Sequence, residues 1–206
     1  MYMLVYIDDI LLTGNSPTEI HKLLSNLHVS FQMRNLGNLS QFLGIQSLTT
    51  MNNIILHQQS YAKAIIQHAG METAKPVATP ISFKITLTPT SHEPYAHPQL
   101  YRQIIGALQY LTITRPDIQF AVQQLCQHMQ HLLNCHQDSL KRLLRYLQGS
   151  SALGIPINRS NLILQGYVDA DWASNNQDRK SISGYCNFLG SSIISWQVKQ
   201  QNTVAR

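Results

Sequence analysis

The sequence contains only three cysteines, Cys126, Cys135 and Cys186. They are odd in number and none shares a CxxC spacing, so they support neither a disulfide framework nor a zinc site. Nine histidines are present, but His128 and His131 sit among Gln and Cys without convergent carboxylates, which leaves histidine-based metal binding without support. No apolar run approaches the length of a membrane span, and Met1 opens directly into a strand-like run with no signal-peptide pattern. A soluble product with no membrane partner is therefore expected. The charge balance is uneven, with 15 Lys and Arg against 10 Asp and Glu for a net charge of +5. That excess favours a polyanionic partner, nucleic acid first, and says nothing about fold. The 206 residues, 44% of them hydrophobic, suffice for one substantial core or two smaller ones.

The apolar pattern alternates between strand and helix signals. Met3 to Ile7 and Ile10 to Thr13 are short β-type runs on either side of Asp8-Asp9, which predicts a tight hairpin with both acids at its tip. Ser16-Pro17-Thr18-Glu19 reads as a capping box with proline at the first helical position, and Ile20, Leu23, Leu24, Leu27 and Phe31 continue an amphipathic helix to about Met33. Leu39 to Thr49 and Ile54 to Gln58, joined by Met51-Asn52-Asn53, predict a second hairpin. Ser60 can cap a short helix that Gly70 ends in a left-handed conformation. Lys75 to Pro98 holds Pro76, Pro80, Pro89, Pro94 and Pro98 and reads as an extended connector.

Three helices follow. Leu100, Ile104, Leu108 and Leu111 line the first. Pro116 opens the second, which carries Ile118, Val122, Leu125, Met129 and Leu132. Leu140, Leu143, Leu144 and Leu147 line the third, which Gly149 stops. Lys141, Arg142 and Arg145 on its outer face form either a solvated charge stripe or a phosphate-contacting face. Leu162 to Asp169, Ile182 to Leu189 and Ser192 to Val198 then predict an antiparallel meander, with Gly190-Ser191 joining the last two. Three strands without a covering helix leave a sheet face and edge open, so the C-terminus reads as a cut. Trp172 and Trp196 are expected to pack in the core or at an edge. The fold class is α+β.

Asp8-Asp9 is the sharpest chemical feature. Adjacent acids at the tip of an apolar hairpin repel each other, so stability does not recommend them. A divalent cation would neutralise them. Mg²⁺ prefers one or two hard protein carboxylates together with phosphates and water. Two such ions about 4 Å apart can activate a primer 3′-hydroxyl and stabilise the departing pyrophosphate. An aspartate pair in a turn is otherwise common, because aspartate favours turns.

Tyr6-Ile7-Asp8-Asp9-Ile10-Leu11-Leu12-Thr13-Gly14 resembles the YVDD hairpin of reverse transcriptases, in the form typical of plant copia-type (Pseudoviridae) retrotransposon Pol polyproteins. Phe42-Leu43-Gly44-Ile45 resembles the primer-gripping segment of the same family. Leu100-Tyr101-Arg102, Gly106-Ala107-Leu108-Gln109-Tyr110-Leu111 and Thr114-Arg115-Pro116-Asp117-Ile118 together resemble its LYRxxxGALQYLxxTRPDI stretch. Lys141-Arg142-Leu143-Leu144-Arg145-Tyr146-Leu147-Gln148-Gly149 resembles a further helix of that family. Gly166-Tyr167-Val168-Asp169-Ala170-Asp171-Trp172-Ala173 and Ser181-Ile182-Ser183-Gly184-Tyr185 resemble the start of its RNase H domain. Ile7 in place of the usual valine is a mild apolar swap, and Ser174-Asn175-Asn176 replaces a glycine-containing turn.

The resemblance implies a partial reverse transcriptase palm at 1–74, a mainly helical thumb and connection at 75–158, and the first three strands of an RNase H-like domain at 159–206. It implies Mg²⁺ or Mn²⁺ as cofactor in the intact parent, with Asp8 as polymerase metal ligand and Asp9 a close second. Asp169 would be the first RNase H carboxylate, with Asp171 in support. Tyr6, Gly44, Lys141, Arg142 and Arg145 would contact nucleic acid. The implied partners are an RNA or DNA template-primer and the rest of the Pol polyprotein. Intact elements of this kind work in cytoplasmic particles and then the nucleus, while an organelle-genome insertion would place a fragment in the mitochondrion. The family carries a third polymerase carboxylate upstream of the hairpin and continues past Thr203-Val204-Ala205-Arg206 into a segment with the next RNase H acid. This chain is accordingly expected to be catalytically incomplete alone. A non-catalytic nucleic-acid-binding remnant, or a pseudogene product, is the alternative from a different class. A free-standing RNase H-like nuclease is disfavoured by the missing acid.

Overall fold

The computed structural model describes residues 1–82, 88–172 and 179–204. The chain mixes α-helices with antiparallel sheets, and its residues separate into two compact units, Met1–Ser47 and Leu48–Arg206. Ser174-Asn175-Asn176 lies outside the described residues.

In the first unit, β1 (Tyr2–Tyr6) pairs antiparallel with β2 (Asp9–Thr13), in a register running from Tyr2↔Thr13 to Tyr6↔Asp9. The expected hairpin is present, but its tip is not Asp8-Asp9. The two-residue turn is Ile7-Asp8, and Asp9 is the first residue of β2. Two-residue turns match the twist of their flanking strands, and this one fixes the register one position earlier. Helix α1 (Pro17–Ser30) starts as anticipated, with the Ser16 Oγ accepting from the Glu19 N–H at 3.4 Å. It stops short of Met33, because Phe31 turns to extended backbone. No residue of α1 is buried, and without a packed face nothing sustains another turn. The predicted run from Leu39 to Thr49 divides into β3 (Gln41–Phe42) and β4 (Ile45–Thr49). Leu43 and Gly44 both have positive φ, 49° and 73°, and join Phe42↔Ile45 in a tight turn. None of the 47 residues of this unit is buried.

The second unit holds the core. Thr50 N–H donates to the Asn53 carbonyl at 2.9 Å, closing the turn predicted at Met51-Asn52-Asn53, and β5 (Asn53–His57) follows. Helix α2 (Gln59–His68) begins before Ser60, which lies inside its first turn and does not cap it. The start is set by tertiary structure. Gln58 is buried and its Oε1 accepts from the Thr114 hydroxyl at 3.0 Å. The end follows the sequence: Gly70 adopts φ +64°, its N–H bonds to the Gln67 carbonyl and that of Met71 to Ile66, the paired bonds of a Schellman motif.

Helix α3 (Pro98–Leu111), a 3₁₀ turn (Pro116–Ile118), α4 (Gln119–Cys126) and α5 (Asn134–Ser150) complete the helical layer. Ile104, Leu108, Leu111, Leu140, Leu143, Leu144 and Leu147 are buried as the periodicity requires. Tyr101 is fully buried as well, and its hydroxyl donates to the Leu125 carbonyl. The second predicted helix is shorter than its pattern. It ends at Cys126, and Leu132 reaches the core from the following loop. Gly149 does not stop α5 but sits in its last turn. A Cβ there would meet the Pro76 Cβ at 3.0 Å, so this glycine serves close packing.

The described residues of the proline-rich connector, 75–82 and 88–97, are irregular as expected, while Pro98 belongs to α3 and residues 83–87 lie outside the described residues. It is not loose. Gln148 donates to the Glu72 carbonyl, Arg145 Nε to the Lys75 carbonyl, and Val77 N–H to the Arg145 carbonyl. Further along, the first-turn N–H groups of Asn134 and Cys135 donate to the carbonyls of Glu93 and Ser91, satisfying donors that a helix start leaves orphaned. These described residues form a strap laid along α5.

Strand β6 (Gly154–Asn158) has no counterpart among the strands expected from the sequence and pairs antiparallel with β5, from Asn53↔Asn158 to His57↔Gly154. Pro156 hid it, since proline within a run argues against a paired strand. The final sheet has the order β7 (Leu164–Asp171), β8 (Lys180–Leu189), β9 (Ser192–Val204). It is the predicted meander with Gly190 in the turn at φ +58°, though β9 extends past Val198.

One buried cation organises the helical layer. The Arg115 side chain is 2% exposed. Its Nε and Nη2 form a bidentate pair with the Asp117 carboxylate at 2.8 and 2.7 Å, and its Nη1 and Nη2 donate to the carbonyl and hydroxyl of Ser150. The Tyr146 hydroxyl donates to Asp117 Oδ2 at 2.8 Å. Burial opposes the charge of Asp117, but the hydrogen bonds and charge of Arg115, with help from Tyr146, hold its carboxyl below the ordinary value. Asp117→Ala would strand the guanidinium, and such losses cost about 3 kcal/mol or more. The expected outcome is a lower urea midpoint with unchanged slope.

A second charge-sensitive point is the start of α5. His136 Nδ1 accepts from the Leu133 N–H at 3.1 Å, and its ring stacks on His128 at 3.9 Å. Burial, then the neighbouring His128, lowers the His136 pKa to about 4. A depressed imidazole is neutral when folded, so its contribution is intact above the ordinary value of ~6.5 and is lost as pH falls from there toward the folded value. Stability measured by urea unfolding should fall across that window in the wild type. It should fall less in His136→Gln, which keeps an acceptor and does not titrate.

Candidate metal and nucleic-acid site

The hairpin positions its acids by register. Asp8 occupies the second turn position and Asp9 pairs across from Tyr6. Both carboxylates are exposed, and so is the Tyr6 side chain. The turn is strained: Ile7 has φ 47°, a region that costs an L-residue roughly 1–2 kcal/mol and that β-branched residues avoid. No burial holds it there, since Ile7 is 80% exposed. The oxygens of Asp8 and Asp9 fit a hard divalent cation such as Mg²⁺ or Mn²⁺, which needs one or two protein carboxylates. Among the described residues no group of three or more His, Cys, Asp and Glu side chains is placed to hold a metal ion.

Asp169 and Asp171 belong to the second unit. They stand two residues apart on β7, hence on one face, opposite Gly184 and Ile182 of β8. Gly184 offers no side chain, which leaves the flank of Asp169 open. All eight residues of β7 are exposed. Gly44, the other residue singled out in the first unit, forms the Leu43-Gly44 turn.

The three cations of α5 are engaged within the chain. Lys141 faces Asp138 at 3.6 Å. Arg142 Nη2 donates to Thr79 Oγ1 at 2.8 Å, and Arg145 Nε to the Lys75 carbonyl at 2.7 Å. No periodicity in the sequence indicated that the strap would meet them. Nor did it assign Arg115 and Asp117, quoted only as part of a motif, to a buried ion pair. Trp196 packs as expected and donates to the Thr112 carbonyl. Trp172 is 68% exposed, with the Arg179 guanidinium 5.5 Å from its ring centre.

Residues 1–83 match the family described as reverse transcriptase (RNA-dependent DNA polymerase). The whole chain is similar to an uncharacterized mitochondrial protein of Arabidopsis thaliana, at 45% identity over 86% of that protein's length. It is 43% identical over its full length to the retrovirus-related Pol polyprotein from transposon RE1 of Arabidopsis thaliana, of which it spans 14%. Over 98% of its length it is 34% identical to the corresponding polyprotein from transposon TNT 1-94 of Nicotiana tabacum, of which it spans 16%. No solved structure matches it. The chain belongs to the copia-type retrotransposon Pol family and carries part of its reverse transcriptase region.

Gly44 sits at φ +73°, where an added Cβ is penalised by about 1 kcal/mol. Gly44→Ala is expected to destabilise the first unit by that amount, read as faster amide exchange at Phe42 and Ile45.

Proposed function

We propose that this chain is a section of an RNA-directed DNA polymerase with an attached RNase H domain. Residues 1–74 would contribute the C-terminal part of the palm, 75–158 the thumb and connection, and 159–206 the opening strands of the RNase H domain. The observation that carries the reading is the Ile7-Asp8 turn. A strained, exposed, β-branched residue beside two adjacent carboxylates has no value for stability, which supports a functional reading of the turn. The match of residues 1–83 to the reverse transcriptase family supports the same assignment.

In this reading Asp8 and Asp9 hold Mg²⁺ or Mn²⁺, and Asp169, with Asp171 beside it, serves the RNase H centre. Bound divalent ions would supply charge neutralisation at the reacting phosphate. The chain's own contribution is positional: the β1–β2 register fixes the two acids, Tyr6 flanks them, and Gly44 shapes the turn that approaches the primer. The partners are a template-primer and the remainder of the Pol polyprotein. Two carboxylates are fewer than a two-metal polymerase centre uses, so nucleotidyl transfer requires residues from elsewhere in that polyprotein.

Mg²⁺-dependent primer extension on an RNA template is expected from the polyprotein that contains this segment. Asp8→Asn there should lower it by ~100-fold or more. Unchanged extension would remove Asp8 from the site. The isolated chain should extend nothing, and extension that vanishes in Asp8→Asn would overturn its incompleteness. Template-primer binding should weaken as salt rises, and a flat salt response would remove nucleic acid as a partner.

A further inference from the structure

The strap along α5 brings an exposed hydroxyl against a partly unsatisfied cation. Thr79 lies outside any helix or strand, is exposed, and is followed by Pro80. Its Oγ1 accepts from Arg142 Nη2 at 2.8 Å and donates to the Ile81 carbonyl at 3.1 Å. Among the described residues the Nε of the same guanidinium is buried without a hydrogen-bond partner. A buried donor left unpaired costs roughly 1–3 kcal/mol, more when charged. One neutral hydroxyl is therefore a poor match for Arg142, whose planar fork is suited to the oxygens of a phosphate.

We propose that Thr79 is a phosphorylation site, read by a kinase that requires proline after the acceptor, and that Arg142 receives the phosphate. The reaction forms a bond from Thr79 Oγ1 to the γ-phosphorus of a nucleoside triphosphate as the bond to the β-phosphate oxygen breaks. The hydroxyl proton passes to the kinase base and the nucleoside diphosphate departs. The product is a near-dianion with three strong acceptors, placed where the guanidinium now meets a single hydroxyl. It would convert a neutral contact into a charge-assisted one and fasten the strap to α5. Thr88-Pro89 supplies a contrast within the same connector. Its dipeptide is the same, but among the described residues the partners of Thr88 Oγ1 are the hydroxyls of Thr90 and Ser91.

The test uses the full chain, a proline-directed Ser/Thr kinase and ATP, with peptide mass spectrometry to place the phosphate. Phosphate on Thr79 is expected; modification confined to other residues would overturn the proposal. On the folded phosphoprotein, ³¹P NMR titration should place the second phosphate pKa below the ~6 of a free phosphomonoester. It should return to the free value on unfolding in urea. A folded pKa equal to the unfolded one would show that no cation meets the phosphate, and would overturn the pairing without any variant. In Arg142→Gln the depression should disappear, while Arg142→Lys should keep part of it. Equal depression in wild type and Arg142→Gln would assign the phosphate to another partner.

Discussion

The helical layer depends on one buried guanidinium. Arg115 is almost wholly withdrawn from water, a placement that costs several kcal/mol unless the charge is paired and hydrogen-bonded. Asp117, Ser150 and, through Asp117, Tyr146 provide the matching acceptors and support. These groups come from the turn that opens α4 and from the last turns of α5. The pair therefore fixes the start of one helix against the end of another, in a way that apolar contacts alone would leave free to slide. Ser150 adds its own tie, because its hydroxyl also donates back to the Tyr146 carbonyl. The Arg115 guanidinium also lies 5.7 Å from the centre of the Tyr146 ring.

What the sequence made legible follows from which signals are local. The Ser16 cap, the Gly70 stop and the leucine stripe of α5 each depend on a few neighbouring residues, and each is found where the pattern put it. The failures have tertiary causes. Ser60 lost the capping position because buried Gln58 already fixed the chain's entry through Thr114. Gly149 looked like a stop and proved to be a clearance for Pro76. Strand β6 carries a proline and borrows its partner from a segment far away, so nothing nearby announces it. The acids of the candidate site were visible as residues, while their exact placement was not: a shift of one position moved Asp9 from the turn into the strand. The resemblance to reverse transcriptases rests on motifs of this kind, and the family relationship follows from the match over the whole chain.

The two compact units differ in what sustains them. Residues 1–47 bury nothing, so the β1–β2 hairpin relies on its ladder and on a turn whose first residue is conformationally unfavourable. The second unit has a continuous apolar core drawn from α2, α3, α4 and α5, with Tyr101 deep within it. Burial raises the pKa of its phenol, consistent with a hydroxyl committed to the Leu125 carbonyl and not to chemistry. Stability and candidate chemistry are thus separated by exposure. The acids lie on exposed hairpin and strand, and the buried polar groups are structural.

The pairing of β5 with β6 carries a kinetic meaning. These strands lie side by side although roughly 100 residues separate them, and closing a loop of that size costs about 4 kcal/mol of chain entropy. The helices between them are built from near-neighbour contacts, which form quickly. The clasp can form cheaply only after those helices have drawn its two halves together, and it is the natural place for the unit to begin to open. A strand that no local signal announces thus depends for its pairing on the helices folded between it and its partner.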